Sequence, residues 1–371
     1  VGWFITLYLI VVATFEAIVL PWMLQMLIPG LRGTVLYSLF GSEVTLDAVL
    51  IGAAGVVLIT FLNYRGVRLA VSFQSIITYG FLAVVIVLLA AASATGEAEN
   101  LQPLFGSMDA SPWWFGAAWI FANTAFFLNG FQSVPQAIEE CSPDVSARTI
   151  ARVMVGSVLI AGLFYCAAIL CSSMATRWTE LAGTPLATAA AMKDILSNGI
   201  LSKVVLLAAA FSLLKTWNAI VLMASRLIMA QARQGLLPSR LGAIHPTHAT
   251  PGVAVLFVGA VSLGGMLLGR GAILPLVNMA SICLAFTFVL ACFALMRLRK
   301  QHQGAAPGFS VPGGTATLVI AAVASFVMSA IALFEPLFRG AGPVPLEWLL
   351  ILIWGAAGAV FFGAQRKSPQ Y

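Results

Sequence analysis

Apolar residues fall into long runs with short polar stretches between them. The runs cover 3–29, 46–63, 70–93, 112–133, 150–174, 201–231, 251–269, 272–296, 312–335 and 346–364. Each is near or above the ~18 residues that an α-helix needs to cross a bilayer. None alternates with period two, so the strands of a membrane barrel are not expected. The pattern predicts an all-α, polytopic membrane protein with about ten transmembrane helices. The run at 201–231 exceeds a bilayer width and is predicted to tilt or to project beyond the membrane.

Composition agrees. The chain has 371 residues, of which 61% are hydrophobic and 9% charged. A soluble domain of this length could not cover itself with so few charges. The net charge of +6 forms no basic stripe, so nucleic acid is not an expected partner. The positives sort by side instead. With Val1 on the cytoplasmic face and alternating spans, twelve Lys and Arg fall inside, among them Arg65, Arg148, Arg226 and Arg297. Six fall outside, including Arg32, Arg177 and Arg270. That obeys the positive-inside rule and puts the C-terminus inside. Cys141, Cys166, Cys171, Cys283 and Cys292 show neither zinc spacing nor a disulfide framework, and are expected to be helix-packing residues.

Three features depart from a plain apolar span. The run Phe126, Phe127, Leu128, Asn129, Gly130, Phe131 places Asn and Gly together in a helix interior, which weakens it. Broken helices survive at membrane depth where protein buries them or where they line a cavity, and freed carbonyls there can receive an ammonium group. Glu16 and Lys215 lie deep in apolar runs, where an ionisable side chain is costly and marks function by default. Glu139 and Glu140 close the fourth run. Adjacent on a helix they point about 100° apart, which disfavours a joint acid–base role.

The break leading into Glu139-Glu140, and the later stretch SRLIMAQARQGLLPSRLGAIHPTHATP, resemble the amino acid–polyamine–organocation (APC) superfamily. That family has a Gly-Phe break before a Glu-Glu pair on its sixth helix. After its eighth it has Ser-Arg, a small residue before Arg, Gly-Leu-Leu-Pro and Thr-Pro. The resemblance runs from about Val1 to about Arg297, specific in these two loops and loose elsewhere.

The resemblance implies a LeuT-like fold of two inverted five-helix repeats. Val1 then opens the family's third helix. Residues 1–93 hold the remainder of the first repeat, 111–296 the second, and 312–364 two accessory helices. The two preceding helices, with the Gly-rich segment that binds the substrate carboxylate, are expected upstream of Val1. Phe126 takes the place of an aromatic gate over the substrate. Glu139, Glu140, Arg226 and Arg233 are implied to hold the inner gate, while Gly235 and Pro238 end the helix before it.

In sodium-coupled members of this fold the eighth helix helps hold a sodium ion. In several proton-coupled members a fifth-helix lysine fills that place. Here the corresponding position is Gly80 or Phe81, and Lys215 stands on the eighth-helix equivalent. Lys215 is therefore expected to replace the missing cation and to exchange a proton, with Glu16 as its counter-ion, a separate proton carrier or a ligand for a cationic substrate. Pro275 and Asn278 are expected to soften the tenth helix for outer-gate motion.

The expected function is a secondary active permease for amino acids, proton-coupled, in a bacterial cytoplasmic membrane. Substrate exchange and transport of polyamines or organic cations are the alternatives; a transport-dead sensor or scaffold is a reading of another class. No Walker A loop, hydrolase elbow, metal-ligand cluster or cofactor motif occurs, so no enzyme activity and no cofactor are expected.

Overall fold

Apart from 70–93, which lies partly outside the described residues, the apolar runs fold as helices whose ends sit within a few residues of the hydrophobic boundaries. A computed structural model describes residues 1–28, 30–31, 33–66, 76–83, 85–86, 89–90, 93–94, 96–106, 112–132, 134, 145–182, 184, 187, 191, 199–301, 310–338 and 344–366. In chain order the main helices are α1 (Gly2–Leu27), α2 (Leu46–Arg65), α3 (Trp113–Phe127), α4 (Ala147–Ala175), α5 (Gly199–Arg233), α6 (Gly252–Met266), α7 (Ile273–Gln301), α8 (Gly314–Phe338) and α9 (Leu346–Arg366). Among the described residues seven helices are long and apolar enough to span a bilayer. α3 and α6, at 15 residues each, are apolar but shorter. The protein is an all-α polytopic membrane protein.

α1 is the axis of the bundle. It is apolar on every side, and such a helix is stable only when surrounded. It packs against α2, α5, α6 and α7, and residues 6–14 and 16–21 are buried. Tyr8, Leu9 and Ala13 are fully enclosed. α8 lies along α7, and both contact α3.

Two glycines permit this packing. A Cβ on Gly55 of α2 would come 2.7 Å from the indole of Trp217, itself buried on α5. One on Gly265 of α6 would come 2.5 Å from Cγ2 of Thr14 on α1. Small residues let membrane helices approach closely, and dispersion between them supplies much of the association energy.

α5 is 35 residues long, about 52 Å at 1.5 Å per residue, well beyond a ~30 Å hydrocarbon core. It stops as expected. Gly235 takes φ of +74°, Leu236 N–H reaches Gln231 O at 2.9 Å, and Gly235 N–H reaches Ala232 O at 3.1 Å. This is the Schellman closure that satisfies the last carbonyls.

One element was not expected. The connection between α1 and α2 forms an antiparallel hairpin, β1 (Val35–Leu39) and β2 (Ser42–Thr45). Its turn residues Phe40 and Gly41 both have positive φ, +50° and +73°. A type I′ turn demands that, and it matches strand twist. Phe40 is a poor residue for the left-handed region, so the local sequence carried little turn signal. Tertiary contacts hold the hairpin: Ser42 Oγ accepts from Gly271 N–H at 2.7 Å, and Tyr37 Oη donates to Leu267 O at 2.6 Å.

Gly265→Val should force a branched side chain against Thr14 and separate α6 from α1. The expected loss is about 2 kcal/mol, read as a lower melting temperature of the detergent-solubilised protein, whereas Gly264→Val, at a position with open space around it, should change little.

Candidate functional site

The helix break stands where Asn129 and Gly130 predicted it. α3 ends at Phe127, and residues 128–132 leave helical geometry. Gly130 has φ of +109°, a conformation that disfavours any other residue. The break supplies some of its own hydrogen bonds. The Asn129 amide donates to the carbonyl of Phe126, and Gly130 N–H donates to Gln132 Oε1 at 2.9 Å. Gln132 Nε2 then reaches Tyr8 Oη on α1 at 3.3 Å. Gln132 and Tyr8 are 124 positions apart, and nothing in the local pattern of either pointed to the pairing.

Aromatic rings close one side. Phe126 is buried and meets Phe15 of α1 edge-on at 5.2 Å and Phe127 at 5.3 Å. Phe127 is exposed and meets Tyr165 of α4 at 6.3 Å. Phe131 turns toward Phe288 of α7, with centroids 5.7 Å apart. Leu128 and Asn129 are half-buried between them.

Glu16 follows Phe15 on the axial helix. It is 5% exposed, and its Oε2 has no hydrogen-bond partner among the described residues. A buried carboxyl oxygen without a donor costs free energy, so it needs a proton or a bound cation to be tolerated.

Lys215 is placed elsewhere. It is half-buried on α5, about 200° around the helix from the enclosed Trp217 two residues on. No ion pair joins Lys215 to Glu16, so the expected counter-ion pairing does not form; the single roles of the two residues are separate questions. Gly80 is exposed, and Phe81 packs against Phe164 at 6.3 Å.

Of the residues implied in the inner gate, Arg226 is half-buried and Arg233 exposed on the last two turns of α5. Glu139 and Glu140 lie outside the described residues. The same end of α5 carries a contact the sequence did not suggest. Gln231 is buried and donates to Thr6 Oγ1 at 2.7 Å, locking α5 to the start of α1.

A second polar group was missed altogether. Asn278 Nδ2 donates to Glu335 Oε2 at 2.7 Å and to Glu347 Oε1 at 3.3 Å. All three side chains are buried. Asn278 therefore ties α7 to α8 and α9, a bond that opposes the softening role expected of it. A signal was present: each accessory run carries a glutamate at the end where the two meet. Nearby, Ser281 Oγ donates to Asn123 Oδ1 at 2.9 Å, which links α7 to α3 just before the break.

The amino acid permease family profile matches residues 1–357. The chain belongs to the amino acid permease family. It is 26% identical to the branched-chain amino acid permease BcaP of Bacillus subtilis over 70% of this chain and 53% of that protein. It is 25% identical to the methylthioribose transporter of the same organism, over 89% of this chain and 66% of the relative. The serine/threonine exchanger SteT, also from B. subtilis, is 27% identical over 91% of this chain and 74% of its own length. The chain thus spans about half to two thirds of the length of the first two relatives.

For this permease-family chain, the Asn278 node offers a direct test of how the accessory helices are held. Asn278→Ala removes the donor shared by two buried carboxyl groups. The expected cost is about 3 kcal/mol, seen as a drop in melting temperature, with Asn278→Gln recovering part of it.

Proposed function

We propose that this chain forms the greater part of a secondary active transporter that moves amino acids across a cell membrane by alternating access. The observation that carries this reading is the buried, partnerless oxygen of Glu16 beside a helix break covered by Phe126. Broken helices at membrane depth offer polar backbone where an intact helix offers none. An aromatic cover excludes water when the substrate is seated.

The substrate sits against Phe126, Phe127, Leu128, Asn129, Gly130 and Phe131. The remaining contacts, including those to its carboxylate, come from the two helices that family members carry before this region. The repeat boundaries at 1–93 and 111–296, followed by accessory helices at 312–364, are the frame within which the break moves. Glu139, Glu140, Arg226 and Arg233 act at the cytoplasmic gate.

Transport is coupled to protons. Glu16 carries one, because a carboxyl group enclosed among apolar side chains is tolerated in its neutral form and charges only when a cation or water reaches it. Lys215 acts apart from it, occupying the cation place on the eighth-helix equivalent with its ammonium group. The partners are a small amino acid, protons and the lipid bilayer, with the C-terminus on the cytoplasmic side.

Exchange is the second reading, favoured by the absence of the fifth-helix lysine at Gly80 and Phe81. An organic-cation substrate is the third, favoured by the same carboxylate of Glu16.

Uptake by the full-length protein in proteoliposomes separates the three. With an inward proton gradient, leucine or serine should accumulate, and a protonophore should abolish the accumulation. Glu16→Gln should remove that gradient dependence, with at least a tenfold loss of concentrative uptake, while leaving counterflow measurable. Accumulation that ignores the pH gradient but requires internal amino acid would establish exchange. If Glu16→Gln abolishes uptake of spermidine and spares leucine, Glu16 is a substrate ligand and not a proton carrier.

A further inference from the structure

The hairpin end of the bundle holds a cavity of about 710 Å³, separate from the helix break. One wall is the last two turns of α1, including Pro21, Trp22 and Gln25. The opposite wall is the hairpin, with Glu43 and Thr45, and the turn ahead of α7 contributes Arg270. The floor is apolar, reaching Ala17 and Met266. Ala17 lies eight positions below Gln25, about 12 Å along the helix axis. It is the neighbour of Glu16, so this cavity and the break back onto each other through α1.

The walls are built, not incidental. Gln25 Nε2 is committed to Asp47 Oδ2 at 2.7 Å and to Thr45 Oγ1 at 3.3 Å, and Asp47 Oδ1 accepts from Gly33 N–H at 2.9 Å. The Ser42–Gly271 bond brings the residues next to each of them, Glu43 and Arg270, to the same rim. These two side chains have opposite charge, yet no ion pair joins them, and neither pairs with any other described residue. The Arg270 guanidinium lies instead over the Trp22 ring, 5.4 Å from its centroid. That stacking holds the planar fork at the cavity edge at little cost in side-chain entropy.

An unpaired cation and an unpaired anion on one rim, above an apolar floor, complement a zwitterion. We infer that this cavity is a second amino-acid site, in which Arg270 takes the carboxylate, Glu43 the ammonium group, and the floor beside Trp22 a small apolar side chain. Arginine presents the fork that matches a carboxylate, and a pocket of this size suits a single small molecule. The site rests on the reading of the chain as an amino acid carrier. It serves as a capture site on the hairpin face, which the distribution of Lys and Arg places outside.

The test reads binding before transport, so that it stands even if the carrier reading fails. Leucine is titrated into the full-length protein in phosphatidylglycerol vesicles, following tryptophan fluorescence. The expected result is a saturable change that Trp22→Phe removes and that Arg270→Gln and Glu43→Gln each weaken about tenfold. 3-Methylbutylamine and 4-methylpentanoate, each lacking one charge, should compete poorly. In proteoliposomes the two rim variants should raise the KM for entry from the hairpin side about tenfold, without changing kcat or efflux from the other side. A leucine response absent from the intact protein, or indifferent to both rim variants, overturns the proposal. So does a response dependent on Arg270 and Glu43 that only phosphatidylethanolamine elicits, because the slot would then hold a lipid headgroup. Equal changes in entry and efflux would also reject a capture role.

Discussion

A carboxyl group enclosed in the axial helix is the constraint around which the rest is arranged. α1 is apolar on all sides and its middle turns are covered by four other helices, so what those turns carry is removed from both water and lipid. Glu16 sits in that environment with one oxygen that receives no hydrogen bond. A buried carboxyl group with an unsatisfied oxygen is costly, so stability alone would favour an apolar residue there. Phe15, next to it in the chain, meets Phe126 at the break. The helix break and the buried acid are thus parts of one arrangement, although they lie over a hundred residues apart in the chain.

The break itself depends on side chains to replace backbone bonds. A helix interrupted in hydrocarbon leaves donors and acceptors that water cannot reach. Asn129 and Gln132 each supply an amide within the interrupted stretch, and Tyr8 receives the outer end of Gln132. The Asn123–Ser281 bond anchors the helix immediately ahead of the break to α7. α7 is in turn tied through Asn278 to both accessory helices. A rigid element is therefore present on one side of the break, with a local and replaceable set of hydrogen bonds on the other.

Much of the architecture was legible because bilayer physics makes it so. Apolar length alone located α1, α2 and α4 to α9, and the Gly235 and Pro238 signals ended α5 where the structure ends it. The Asn129-Gly130 pair marked the break because both residues are poor helix formers in a segment otherwise suited to one. What stayed hidden depends on contacts distant in sequence. Gln132 gave no local sign of reaching Tyr8. Glu335 and Glu347 lie at the margins of apolar runs, where a glutamate is usually solvated, and only the fold shows them buried against Asn278. The hairpin was missed because Phe40 is an unfavourable residue for its turn, and bonds to the α6–α7 connection hold it.

The separation of Glu16 from Lys215 changes how the charge in this bundle is to be understood. A buried ion pair would have made both residues mutually neutralising and mostly structural, since each would remove the other's reason to titrate. Apart, each must settle its own charge. Glu16 has to do so inside the protein, away from water. Lys215 is half-buried on the longest helix, where a long alkyl stem can carry its ammonium group toward a more polar depth. On the proton-coupled reading proposed above, the acid responds to events at the break without drawing the lysine with it. On the same reading, an unpaired acid at the centre of the bundle and a half-buried lysine on the neighbouring helix let the protonation of one change while the other stays fixed, which a paired design would forbid.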